Sequence, residues 1–210
     1  MRGNHKKLTL LTIITVITAF LLTATPAATA SPLRYINASY AATVNNTFLL
    51  APLGFTSGVP NNSESPYYAW VQGTESGPAT YTFMANGTGT ATGTFAVLYY
   101  LNPNDSTTTP SAGETSWSYS FTYTIAPHLG AVTINVTSGT FHWQTTAGPY
   151  QSSTVYTFTT PITITGTISY DGAVIILTAA TAGPWSFTPD IVSGYTPQFY
   201  FTGPTVMIRQ

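Results

Sequence analysis

Past Ala30 the chain carries six acids (Glu64, Glu75, Asp105, Glu114, Asp171 and Asp190), two histidines (His128 and His142), two arginines (Arg34 and Arg209), no lysine and no cysteine. Acid–base catalysis needs titratable groups that converge on one substrate. Most of these acids instead fall where turns want them. Glu64 and Glu75 lie in stretches that read as polar loops, Asp105 follows Asn104, Asp171 precedes Gly172 in a hairpin, and Asp190 follows Pro189. Glu114 alone adjoins a strong strand pattern. A retaining glycosidase would need a close carboxylate pair on inward positions, and none is legible. Two isolated histidines without cysteine do not make a zinc site. No Gly-x-Ser-x-Gly elbow, Gly-x-Gly-x-x-Gly turn or phosphate loop occurs. Catalysis is therefore not expected, and neither is a cofactor or a metal.

The chemistry on offer is that of a glycan acceptor. Six Asn-x-Ser/Thr sequons, at Asn37, Asn45, Asn61, Asn86, Asn104 and Asn135, have no proline in the middle. A chain so rich in Thr and Ser generates some sequons by composition alone, so placement carries more weight than number. Asn61 and Asn104 fall in expected loops. Asn135 falls on the polar face opposite Val132, Ile134 and Val136, where a sugar would meet solvent.

Glycosylation requires export, and the first thirty residues read as the export signal. Arg2, His5, Lys6 and Lys7 precede an apolar run from Leu8 to Leu22, followed by Ala28-Thr29-Ala30 before Ser31. The run is shorter than the roughly 20 residues of a spanning helix. Residues 1–30 are thus expected to be a cleaved secretory leader, leaving about 180 residues, a single-domain length, with no membrane span. A class III pilin leader would place its basic-Gly site directly before the apolar run, which Arg2-Gly3 does not do. Two arginines against six acids give the remainder a net charge of −4, which lacks the basic footprint of nucleic-acid binding.

The elements that hold these residues are strands. Apolar residues alternate with Thr or Ser through the mature sequence, and no stretch shows a 3.6-residue period. The clearest run sets Trp117, Tyr119, Phe121, Tyr123 and Ile125 against Ser116, Ser118, Ser120, Thr122 and Thr124. Further strands are expected over 67–72, 80–84, 94–101, 131–137, 140–145, 154–159, 162–170, 173–178 and 198–201, with a short last one over 206–208. Asp171-Gly172 reads as a two-residue type I′ hairpin. Loops are expected over 59–66, 73–78 and 102–114. Strands at this spacing predict an all-β, two-sheet sandwich of immunoglobulin-like or jelly-roll type. With no disulfide possible, its stability must come from the core and the sheet ladders.

The mature N-terminus is a strand of a particular kind. Ile36, Ala38, Tyr40, Ala42 and Val44 share one face, and Asn37, Ser39, Ala41, Thr43 and Asn45 share the other, with both asparagines heading sequons. Such a strand can complete a sheet in its own domain or in a neighbour's, and the sequence does not choose. If it adds to another subunit, main-chain hydrogen bonds supply affinity and alternate side chains supply register.

A Sec-type leader, a detachable alternating N-terminal strand, a cysteine-free and charge-poor β domain and dense sequons together resemble the thread filament subunits of Sulfolobales archaea. The resemblance implies an N-glycosylated homopolymer on the cell surface. Each subunit would donate a tail, residues 31–52, to the incomplete sandwich of the next subunit's head, residues 53–210. Ile36, Ala38, Tyr40, Ala42 and Val44 would then be the groove-filling donor positions. Chaperone-usher pilins of bacteria join in the same way but often carry a disulfide, which this chain cannot form.

The rival expectation is a secreted carbohydrate-binding or adhesin-like module, with Trp70, Trp117, Trp143 and Trp185 as an aromatic platform. Most such rings pack sheet cores instead. A sheath or surface-layer component would share the leader and sequons but needs lateral contacts or an anchor. The shortage of carboxylates further predicts a fold that changes little in acid.

Overall fold

The structure, a computed structural model, describes residues 35–57, 59–61, 70–101, 109–126, 130–148, 152–159, 161–180, 185–189 and 194–210, with the side chains of 179 and 180 excepted. The chain divides into two units, Met1–Pro32 and Leu33–Gln210, and the expected leader lies outside the described residues.

The described residues contain strands and no helix. In order they are β1 (Ala38–Ala51), β2 (Phe55–Thr56), β3 (Val59–Pro60), β4 (Val71–Phe83), β5 (Thr88–Leu101), β6 (Ser111–Ile125), β7 (Ala131–Ala147), β8 (Ser153–Phe158), β9 (Ile162–Ile168), β10 (Val174–Ala180), β11 (Trp185–Thr188), β12 (Gln198–Thr202) and β13 (Thr205–Arg209). The all-β class expected from alternation is what the structure shows. β2 and β3 form a small separate ribbon, and the other eleven strands form one antiparallel sheet.

That sheet closes on itself twice. Five long strands, β1, β4, β5, β6 and β7, pair in that order and make one continuous wall. Facing strands are shorter and come in two triplets. β13, β10 and β9 run from the first half of β1 (Tyr40–Val44) to the first half of β7 (Ala131–Val136). β12, β11 and β8 run from the second half of β1 (Thr47–Ala51) to the second half of β7 (Thr140–Gln144). β1 and β7 are therefore shared staves, and the closing layer is split along a seam from Asn45–Asn46 to Thr137–Gly139.

Two local devices make the split possible. β7 bulges between Val136 and Ser138, so its inward set changes from Val132, Ile134 and Val136 to Phe141, Trp143 and Thr145. At the other end the chain turns from β12 into β13 at Gly203, with φ +151°. A Cβ there would lie 2.1 Å from the Asn45 carbonyl oxygen, so only glycine fits so close to β1.

The core follows the split. One cluster, including Tyr40, Phe83, Phe121, Ile134, Ile162, Ile175 and Met207, fills the half closed by β13, β10 and β9. The other, including Phe48, Val97, Tyr99, Phe141, Phe187 and Phe199, fills the half closed by β12, β11 and β8. The second is mostly aromatic, with rings meeting edge to face, as Phe141 and Phe199 do at 5.2 Å.

Three local expectations are corrected. Residues 73–78, read as a loop, lie inside β4. Their glycines clear space rather than turn the chain: a Cβ on Gly73 would reach 2.4 Å from the Phe48 ring, and one on Gly77 would reach 2.2 Å from the Thr94 carbonyl oxygen. The β4–β5 ladder skips Gly77 and Pro78, consistent with proline's missing N–H, and resumes in the same register at Ala79. Residues 111–114, read as the end of a loop, begin β6, while 102–108 lie outside the described residues. The hairpin at Asp171-Gly172 is present, but only Gly172 has positive φ, at +69°. Gly172 N–H donates to the Ser169 carbonyl at 2.9 Å, and Asp171 Oδ1 accepts from Ser169 Oγ and Ala173 N–H, which fixes a turn over Ser169–Gly172 instead of the two-residue form.

Candidate functional site

β1 has the alternation read from its sequence. Ile36, just before it, and Tyr40, Ala42 and Val44 are buried, and Ala38 is half-buried against the same core cluster. The inward set continues through Asn46, Phe48 and Leu50, while Asn37, Ala41, Thr43 and Asn45 are exposed. On one side β1 pairs with β4 over thirteen residue pairs, from Ala38↔Phe83 to Leu50↔Val71. On the other it holds β13 and then β12.

Specific hydrogen bonds set its position. Tyr40 Oη donates to the Gly172 carbonyl at 2.6 Å, tying β1 to the β9–β10 turn. Ile36 N–H donates to Tyr123 Oη at 2.8 Å, and the Tyr123 hydroxyl has the carbonyls of Ile36 and Met84 within 2.8 Å as acceptors. Past the end of the strand, Phe55 N–H donates to Gln198 Oε1 at 2.8 Å, and its ring meets Tyr200 edge-on at 4.7 Å.

The sequon asparagines differ in environment. Asn37, Asn45 and Asn86 are exposed. Asn61 is half-buried, with Nδ2 donating to the Leu53 carbonyl and Oδ1 accepting from Thr56. Asn135 is half-buried between β6 and β9, and its Oδ1 accepts from Thr163 at 2.8 Å. Asn104 lies outside the described residues.

Where the closing layer splits, the seam opens into a cavity of about 290 Å³. Rings from both halves line it, among them Trp117, Phe141, Trp185 and Phe201. Trp117 stacks on Tyr119 with centroids 4.8 Å apart. Three of the four tryptophans thus face a shared interior space, not an outer platform, and Trp70 is half-buried at the entry to β4.

Among the described residues one charged side chain borders this aromatic space, and the sequence did not single it out. Glu75 is 7% exposed and sits opposite Asn46 on the inner face of the β1–β4 pair. Asn46 Nδ2 donates to Glu75 Oε1 at 2.9 Å. Burial pushes the carboxyl up to about 7; the Asn46 bond and the Thr115 hydroxyl pull the other way, the latter without closing a hydrogen bond of its own. Deeper in, Tyr119 Oη donates to Tyr81 Oη at 2.9 Å, and burial holds Tyr119 well above the usual phenol range and Tyr81 up at about 12. Trp185 Nε1 is buried with no acceptor among the described residues.

Compared with known proteins, the chain matches no family and no curated relative. Among the described residues no cluster of acids or histidines could hold a metal ion, and no helix is long and apolar enough to cross a membrane.

Proposed function

We propose that the protein is a structural subunit of an extracellular, N-glycosylated cell-surface filament, polymerising with itself head to tail by donating its N-terminal strand to the neighbouring subunit. The observation that carries this reading is the place of β1. Among the described residues it is the sole partner of one edge of β4 and at once the partner of β13 and β12, so without it both halves of the sheet lie open.

Burial of Ile36, Tyr40, Val44, Phe48 and Leu50 stabilises the docked strand by roughly 10 kcal/mol before ordering costs. Nineteen residues, 52–70, join β1 to β4, enough chain for β1 to serve another copy with the same register. Exposed Ile176, Val206 and Ile208 lie together on the outer face of β10 and β13 and add apolar surface for contact between copies. Sugars on the outward Asn37 and Asn45 leave the inner face free to dock, and supply the solubility that a charge-poor surface lacks.

Electron microscopy of material sheared from cells tests this, alongside a form lacking residues 31–50. Continuous filaments from the first, with monomers or unfolded material from the second, support strand donation. Discrete folded monomers from both overturn it.

A further inference from the structure

We propose that the seam cavity is a binding site for a small organic cation: a primary ammonium on a compact aromatic body. The volume of about 290 Å³ sits at the lower end of the range for small-molecule sites, too small for an oligosaccharide and ample for one ring with a short arm. Its lining belongs to the folded barrel, so the site is the same whether β1 comes from its own chain or from a neighbour.

The class of ligand follows from charge and hydrogen bonding. Among the described residues Glu75 is the one charged residue lining the cavity, and no basic side chain accompanies it. Asn46 donates to Oε1, and among the described residues no hydrogen bond is seen on the second carboxylate oxygen. A buried carboxylate is costly unless a cation or donor meets it, and an ammonium supplies both charge and hydrogen bonds. Trp117, Tyr81 and Phe95 line the same cavity, and aromatic rings favour a cation through their quadrupoles. The rings of Phe141 and Phe199 suit an apolar body. Thr178, Thr202 and Gly203 border the cavity at the β10 and β12–β13 edges, where Thr178 and Thr202 are exposed and offer a way in.

Linkage gives a second handle. Glu75 must be ionised to meet an ammonium, and its carboxyl is held up at about 7. Asn46 from β1 and Thr115 from β6 flank it and carry no charge. The titratable groups nearby, Tyr81 from β4 and Tyr119 from β6, stay neutral across this range. Ammonium binding should therefore weaken as pH falls through 7.

The test is isothermal titration calorimetry on the mature protein with tyramine, and with the neutral analogue that has a hydroxyl in place of the amine. Tyramine should bind saturably at pH 8 and at least about tenfold more tightly than the neutral analogue. Glu75→Gln should erase that preference, and moving the wild type from pH 8 to pH 6 should cost tyramine about tenfold. Equal affinity for the two ligands on the wild type, no binding of either, or an undiminished preference in Glu75→Gln would each overturn the proposal. The wild-type comparison decides even if a variant does not fold.

Discussion

Asn46 on β1 and Glu75 on β4 face each other across the inner side of the ladder, with the amide donating to the carboxyl at 2.9 Å. This polar pair, set among rings, marks the point where the closing layer divides and the first strand passes from one half of the core to the other.

The pair sets a pH dependence. The Glu75 carboxyl goes from an ordinary value of 4.5 to about 7 on folding, so the folded state holds its proton longer than the unfolded state. Its contribution is most favourable below 4.5 and is lost as pH rises through 7. Glu75→Gln should raise stability by ~3 kcal/mol at pH 8, the free-energy equivalent of the gap from 4.5 to about 7, and change little at pH 4. For a domain of this size that is about 6 to 12 °C in Tm. Asp171 acts in the opposite sense: hydrogen bonds from Ser169 and Ala173 lower its pKa, so its contribution fades as pH falls through that lowered value, but it is fully exposed. Circular dichroism melts of the wild type should show no loss of Tm from pH 7 to pH 4.5.

Tyr123 tests how the start of β1 is held. Tyr123→Phe removes the hydroxyl that accepts from Ile36 N–H and donates back to carbonyl oxygen, leaving buried backbone groups unpaired. The expected cost is about 1–3 kcal/mol. Denaturant unfolding measures it, and filaments of the variant should break at lower denaturant than wild type.

Gly203 tests the seam. Gly203→Ala places a methyl 2.1 Å from the Asn45 carbonyl and imposes a φ of +151° on an alanine, so it should destabilise by about 2 kcal/mol or more. Alanine at Gly194, where φ is +83° but nothing lies within 4 Å, should cost less, and paired melts separate crowding from backbone strain.

Glycan occupancy should follow exposure. Glycopeptide mass spectrometry should find sugar at Asn37, Asn45 and Asn86, which face solvent, more fully than at Asn61, whose amide already serves the Leu53 carbonyl, or at half-buried Asn135. Equal occupancy at all five would mean that modification precedes folding.

Much of this was legible in the sequence, because a period of two survives wherever one face is buried. Tyr40, Ala42 and Val44 on β1, and Tyr119, Phe121 and Tyr123 on β6, point inward as their spacing requires. The inner polar pair was not legible. Gly73-Thr74-Glu75-Ser76-Gly77-Pro78 has the composition of a turn, and its glycines serve aromatic rings that arrive from other strands. Inward parity through Val71, Ala79 and Tyr81 was the signal that could have placed Glu75 in the core. The double closure was equally out of reach, because the bulge after Val136 and the corner at Gly203 acquire meaning only through strands far away in sequence.

The most direct measurement is where β1 docks. Ser39 and Thr82 sit opposite each other on β1 and β4 with hydroxyl oxygens 3.2 Å apart, and the chain has no native cysteine. Filaments of Ser39→Cys/Thr82→Cys, oxidised, boiled in detergent without reductant and run on a gel, should give a ladder of covalent oligomers that collapses to monomer on reduction. A single monomer band carrying an internal disulfide would contradict strand donation and place β1 in its own chain's sheet.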